Sequence, residues 1–243
     1  MNLDNISIIL VEPQGAGNIG SCARALKNMG LKHLVLVKPV DFLVDEGFKM
    51  AVGARSILQK AKVCSSLEEA LEGASLSIGT TRRKGKLRNP IYSISSMAEK
   101  VSAISEKNRV AFVFGREDKG LLTRELKLCT LVSYIPAQES FPSLNLAQAV
   151  MITCYELFIV SNLTAKREAT LLAGFEDVEN FYMHLEVTLV RIGFLNAAYP
   201  TTIMVALRRL FGKAGLEPRE VKILRGILRQ VDWYARTIAE KKE

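Results

Sequence analysis

Histidine is nearly absent from this 243-residue chain: His33 and His184 are the whole supply. A Ser-His-Asp relay or a histidine-rich metal site therefore has little material to work with, and no metal is expected. The four cysteines, Cys22, Cys64, Cys129 and Cys154, form no C-x-x-C pair and sit in apolar-patterned segments. That pattern fits reduced, buried thiols in a cytoplasmic protein better than a disulfide framework. No uncharged apolar run reaches the roughly 18 residues a membrane helix takes; the best candidate, residues 150–160, contains Glu156. The start, Met1-Asn2-Leu3-Asp4, has no basic n-region, so no secretory signal and no membrane partner are expected.

What is present is the balance of a globular protein: 49% hydrophobic and 24% charged residues. The 33 Lys and Arg exceed the 25 Asp and Glu, leaving +8, a sign that favours a polyanionic partner without naming it. Short Val- and Ile-rich runs at 6–11, 33–37, 61–64, 76–78, 110–114 and 132–135 predict strands covered on both faces. Helical patterns at 19–29, 46–59, 67–71, 94–104, 121–128 and 143–160 lie between or after them. This alternation predicts an α/β fold, a mostly parallel sheet with helices on both faces. Residues 1–161 make one domain and 162–176 a polar linker. Residues 177–243 read as purely helical, in runs 178–193, 201–211 and 217–239.

Four connections carry the candidate chemistry. Gly15-Ala16-Gly17-Asn18-Ile19-Gly20 follows the first strand and matches G-x-G-x-x-G, with Asp41 past the second strand where a ribose-binding acid would stand. A nicotinamide dinucleotide site is therefore one reading; a loop capped by Asn18 ahead of a helix is the plainer one. Asn18, Ser21 and Arg24 fall on adjacent helical positions, and an arginine there suits a phosphate or a developing oxyanion. After 76–78 come Gly79, Thr80, Thr81 and a run in which five of the seven residues from 82 to 88 are basic. Residues 112–114 lead into Gly115-Arg116-Glu117-Asp118-Lys119-Gly120, where Gly115 permits close backbone approach and Glu117 either meets a ligand or pairs with Arg116. The last connection runs from Ile135-Pro136 to Pro142-Ser143-Leu144-Asn145; Ser143 is a good N-cap, and Asn145, inside the expected helix, would cap nothing and favours binding.

Taken together, Asn18-Ile19-Gly20 with Arg24, the stretch from Phe114 to Leu121, and Ser143-Leu144-Asn145-Leu146-Ala147 resemble the three motifs of SPOUT-class RNA methyltransferases over residues 5–160. The tail, with Leu207-Arg208-Arg209-Leu210-Phe211, is similar to the TrmJ-type group of that class. The resemblance implies a C-terminal trefoil knot in the α/β domain, a homodimer, and S-adenosyl-L-methionine as cofactor. It implies methylation of a ribose 2′-hydroxyl at position 32, cytidine or uridine, in the tRNA anticodon loop. By motif position, Thr80, Thr81, Arg82, Gly115, Ile135, Pro142, Ser143 and Leu144 would contact the cofactor, Arg82 through its backbone. Arg24 would carry catalysis, with Asn18, Glu117, Ser143 and Asn145 in support. Arginine is a poor general base, so stabilising the forming alkoxide is preferred for Arg24 over proton removal. In the tail, Lys222, Arg225, Arg229 and Arg236 form a basic stripe that either grips RNA or is a solvated face. The competing readings are an NAD-dependent oxidoreductase and a non-catalytic RNA-binding factor.

Overall fold

The computed structural model describes residues 1–82, 91–163, 171–196 and 200–240. Most of the basic run at 82–88 therefore lies outside the described residues, as do residues 164–170 of the expected linker. The chain separates into two compact units, Met1–Thr170 and Leu171–Glu243.

The first unit is built on seven parallel strands: β1 (Ile6–Val11), β2 (His33–Val37), β3 (Lys62–Cys64), β4 (Leu76–Thr80), β5 (Ile91–Ser93), β6 (Val110–Phe114) and β7 (Leu131–Tyr134). Their order across the sheet is β3-β2-β1-β6-β4-β7-β5. The central strands read as unbroken apolar runs because both faces are covered. Ile8, Ile9, Leu10 and Phe112 are fully buried, with Ile8 standing between Leu34 and Phe112 in register. Strand β5 was not expected. Ile91-Tyr92-Ser93 is too short to stand out by pattern, and it becomes a strand by pairing with β7.

Ten α-helices are found among the described residues, beginning with α1 (Ala16–Asn28), α2 (Asp45–Met50), α3 (Arg55–Gln59), α4 (Leu67–Leu71), α5 (Ile94–Ile104), α6 (Thr123–Leu128) and α7 (Leu146–Leu163). Helix α7 lies between α1 and α5, sealed by Val150, Cys154 and Leu157, all at zero exposure. The helix expected at 46–59 is two helices. Gly53, at φ +73°, takes a left-handed conformation in the turn between them. Helix α1 starts earlier than expected, so Gly17 and Gly20 lie inside it and Gly15 is its cap. The reason for Gly20 is packing: a Cβ there would overlap the Gly47 carbonyl oxygen of α2.

The second unit is a bundle of α8 (Phe175–Arg191), α9 (Thr201–Ala214) and α10 (Pro218–Glu240). Phe181 meets Phe211 edge-on at 5.1 Å, and Leu185, Met204, Val221 and Leu228 close the core around them. Arg208 stacks over Tyr182 at 4.3 Å and holds Glu179 through both guanidinium nitrogens.

Substituting Gly20→Ala should cost about 2–3 kcal/mol, because the added carbon has backbone on the far side and nowhere to go. Gly226→Ala, whose Cβ would meet nothing nearer than 4.0 Å, should stabilise by up to ~1 kcal/mol through helix propensity. Urea unfolding of the two variants checks both signs.

Candidate functional site

Parallel strands aim their carboxyl ends the same way, so the connections after β1, β4, β6 and β7 gather at one edge. Two of them are joined by a single carboxylate. Glu117 accepts from the backbone N–H of Gln14 (2.9 Å) and of Gly15 (3.2 Å), and from the Asn18 side-chain amide (2.9 Å). That contact fixes which way the Asn18 amide points: its nitrogen serves Glu117, leaving its oxygen to accept from Asn145 Nδ2 at 3.0 Å. Asn145 in turn accepts from the N–H groups of Ala147 and Gln148. One chain of polar contacts thus links the connections after β6, β1 and β7.

Two expectations are corrected here. Asn145, not Ser143, caps α7, because the helix begins at Leu146 and the Asn145 oxygen reaches its first free donors. Asn18 does not cap α1; it lies in the first turn with its side chain turned to Glu117. Of the two readings left open for Glu117, pairing with Arg116 is excluded, because Arg116 pairs elsewhere.

Arg116 is 7% exposed and spreads its donors over three acceptors. Two of its nitrogens meet the two carboxylate oxygens of buried Glu125 at 3.0 and 2.8 Å, and Nε meets Glu12 at 2.9 Å. A further N–H reaches the Gly120 carbonyl at 3.3 Å. Such a pair is costly to desolvate but far costlier to break, since either partner alone would be a buried, uncompensated charge. The two carboxylates raise the Arg116 pKa, so it stays charged. Glu12 is held at φ 47°, in the left-handed region, by its N–H bond to the Val37 carbonyl and by Arg116. The loop also folds on itself: Gly120 N–H donates to the Arg116 carbonyl, and a Cβ on Gly115 would overlap Gly120. The close approach that Gly115 permits is therefore that of its own loop.

Beside this brace opens a cleft that encloses about 870 Å³ of space, the open solvent at its mouth included. Thr80, Thr81, Arg82, Gly115, Ile135, Pro142, Ser143 and Leu144 all line it. So do Glu117, the rest of its loop from Arg116 to Gly120, and the apolar residues Phe114, Leu121, Leu146 and Ala149. Phe114, Leu121 and Leu146 lie within the motif stretches but were not singled out as cofactor contacts, and Ala149 belongs to a run that periodicity marks as core. The walls combine apolar side chains with a charged loop, Arg116 to Lys119, a surface suited to a ligand with both apolar and polar parts. Arg24 does not line the cavity; it stands exposed on α1, and among the described residues no acid pairs with it.

The dinucleotide reading does not survive this geometry. The Glu117 carboxylate sits at the entrance to α1, where a pyrophosphate would have to be. Among the described residues no cluster of His, Cys, Asp or Glu could hold a metal ion, and no helix is long and apolar enough to cross a membrane. All four cysteines are free and buried; burial pushes the Cys129 and Cys154 thiols up to about 12, so neither is a ready nucleophile.

Comparison with known proteins agrees along the whole chain. Residues 5–155 match the SpoU rRNA methylase family, and residues 176–243 match the C-terminal domain of the tRNA methyltransferase TrmJ. The tRNA (cytidine/uridine/adenosine-2′-O-)-methyltransferase TrmJ of Pseudomonas aeruginosa is 40% identical over 99% of this chain and 98% of its own length. The tRNA (cytidine/uridine-2′-O-)-methyltransferase TrmJ of Escherichia coli is 40% identical over 95% and 96%. The crystal structure of TrmJ from Z. mobilis superposes with a TM-score of 0.77 at 33% identity, covering 93% of this chain and 98% of that one.

The Arg116 guanidinium holds the Glu12 carboxyl below its ordinary 4.5. A lowered native pKa stabilises in full above the unfolded value and is lost as pH falls through the native one. Glu12→Gln should therefore destabilise the fold at about pH 7 and by clearly less near pH 3. Denaturant midpoints at both pH values check this, and equal losses would assign the effect to shape instead of charge.

Proposed function

The chain belongs to the SpoU methylase family, in its TrmJ branch, and from that premise we propose that it methylates ribose 2′-hydroxyls of tRNA with S-adenosyl-L-methionine as donor. The observation that carries this reading is the convergence of the three motif connections on one cavity through Glu117, Asn18 and Asn145. The cofactor supplies, when bound, an electrophilic methyl group on a sulfonium. Thr80, Thr81, Arg82, Gly115, Ile135, Pro142, Ser143 and Leu144 are the residues that would hold it. Their strand-end backbone offers donors and acceptors, and Ile135, Pro142 and Leu144 offer apolar cover that excludes water.

The remaining work belongs to the RNA side. A ribose hydroxyl must be held in line with the methyl group and must lose its proton; positioning alone lowers such a barrier by several kcal/mol. Arg24 is charged, exposed and without an acidic partner among the described residues, so it is available to a phosphate and to the alkoxide that develops next to it. It acts as an electrostatic stabiliser with late proton loss, because a guanidinium does not take up a proton at neutral pH. Glu117 has no part in proton transfer: three donors already occupy it. It positions Asn18 and the start of the helix that carries Arg24.

Position 32 of the anticodon loop, cytidine or uridine, is the target we propose, on the resemblance to the TrmJ group. The knot has topological support. Strand β7, the last in sequence, lies inside the sheet between β4 and β5 instead of at its edge. A homodimer has support in α7, which is apolar over most of its surface. Tyr155 on it is 49% exposed, and Met151, Ile152, Phe158 and Ile159 are only partly covered within one chain. Cytoplasmic residence accords with the buried, free thiols.

Arg24→Ala should lower methyl transfer at saturating tRNA by about a hundred-fold, the usual cost of losing an oxyanion donor. S-adenosylmethionine binding, followed by calorimetry, should stay unchanged; wild-type turnover would remove Arg24 from the mechanism. Mass mapping of ribose methylation in tRNA from cells with and without this protein should lose one 2′-O-methyl group at position 32 in its absence.

A further inference from the structure

Helix α10 carries an aromatic side chain that packing does not explain. Trp233 is the chain's only tryptophan and is 62% exposed, although an indole ring is ordinarily mostly covered. At roughly 100° per residue, Trp233 shares an arc of about 80° with Lys222, Arg225, Arg229 and Arg236, and lies one turn after Arg229 and one before Arg236. All four cations are exposed, and among the described residues none forms an ion pair. The neighbouring acid, Asp232, is held by His184 and Arg191 of α8 and does not neutralise the arc. Among the described residues no cation covers the Trp233 ring. Tyr234, equally exposed, falls on a different arc with Ile223, Ile227 and Ile238, which carries no positive charge.

We propose that the basic arc of α10 binds an unpaired stretch of the tRNA, with Trp233 stacking on one base while the arginines on either side hold its flanking phosphates. The inference rests on the tRNA reading given above and adds to it a residue and a mode of recognition. An aromatic between cations is what single-stranded RNA calls for: phosphates meet the charges and a base face meets the ring. Paired RNA offers its backbone but no free base face, so it would engage the arginines without the indole. A protein partner would leave four cations without counter-charges at its interface, whereas a polyanion satisfies them and releases its own counterions.

Because the indole is unique, its fluorescence reports on this position alone. Titration of the full chain with tRNA should quench it, and a fully paired RNA duplex should not. Trp233→Ala should weaken tRNA binding by roughly ten-fold, and Trp233→Phe should keep most of the affinity. The slope of log affinity against log salt should stay unchanged in Trp233→Ala, since no charge is lost, and should fall by about one in Arg229→Ala. Wild-type affinity in Trp233→Ala, or equal quenching by duplex RNA, would overturn the stacking role. A changed oligomeric state with tRNA affinity intact would also overturn it, and would make the arc a contact between copies of this chain. If Trp233→Ala binds and methylates tRNA like the wild type, only this inference fails. If the wild-type chain binds no tRNA at all, the functional reading fails with it.

Discussion

The site depends on one carboxylate that accepts and never donates. Glu117 stands early in the loop after β6 and gathers two backbone N–H groups from the loop after β1 and an amide from the first turn of α1, about a hundred residues earlier in the chain. Because it is acceptor-only, it dictates the orientation of Asn18, which dictates that of Asn145, which caps α7. Each contact alone is of modest strength, on the order of 1 kcal/mol. Their joint effect is geometric: three connections that a flexible chain would hold apart share one position at the carboxyl edge of the sheet.

A second ionic element supports the first and borders the same cavity. Arg116 is buried between Glu125 and Glu12, and it fixes the loop that presents Glu117. The two neighbours in sequence therefore have separate duties: Arg116 anchors the loop to the protein, and Glu117 anchors the other loops to it. Arg24 remains without an acidic partner among the described residues, which leaves its charge available to RNA. The bundle at Leu171–Glu243 contributes surface of another kind, a helix arc rich in cations with one stacking ring.

Much of the sheet was legible because burial on both faces writes itself as apolar runs. Strands Ile6–Val11, His33–Val37 and Val110–Phe114 begin and end where the sequence pattern does. Strand Ile91–Ser93 was not legible, since three residues carry no period and its pairing with β7 is a tertiary fact. The cavity-lining residues followed from the resemblance to a family, not from spacing. The link between Asn18 and Asn145 spans 127 residues, and nothing local distinguishes an asparagine that caps from a serine two positions earlier that looks the better cap. The partners of Arg116 were hidden for the same reason: a buried arginine and a surface one have the same letter, and only the fold shows that Glu12 and Glu125 surround it.

The most direct test is the methyl-transfer rate of Glu117→Gln at saturating tRNA and cofactor. An amide of the same shape sets a donor against the N–H groups that the carboxylate accepts from, and it releases Asn18 and the start of α1. The account predicts a rate at least about ten-fold lower, the equivalent of one lost buried hydrogen bond, in a protein that still folds. A variant that turns over like the wild type would mean that the three connections are held in place by something other than this carboxylate, and would contradict the account.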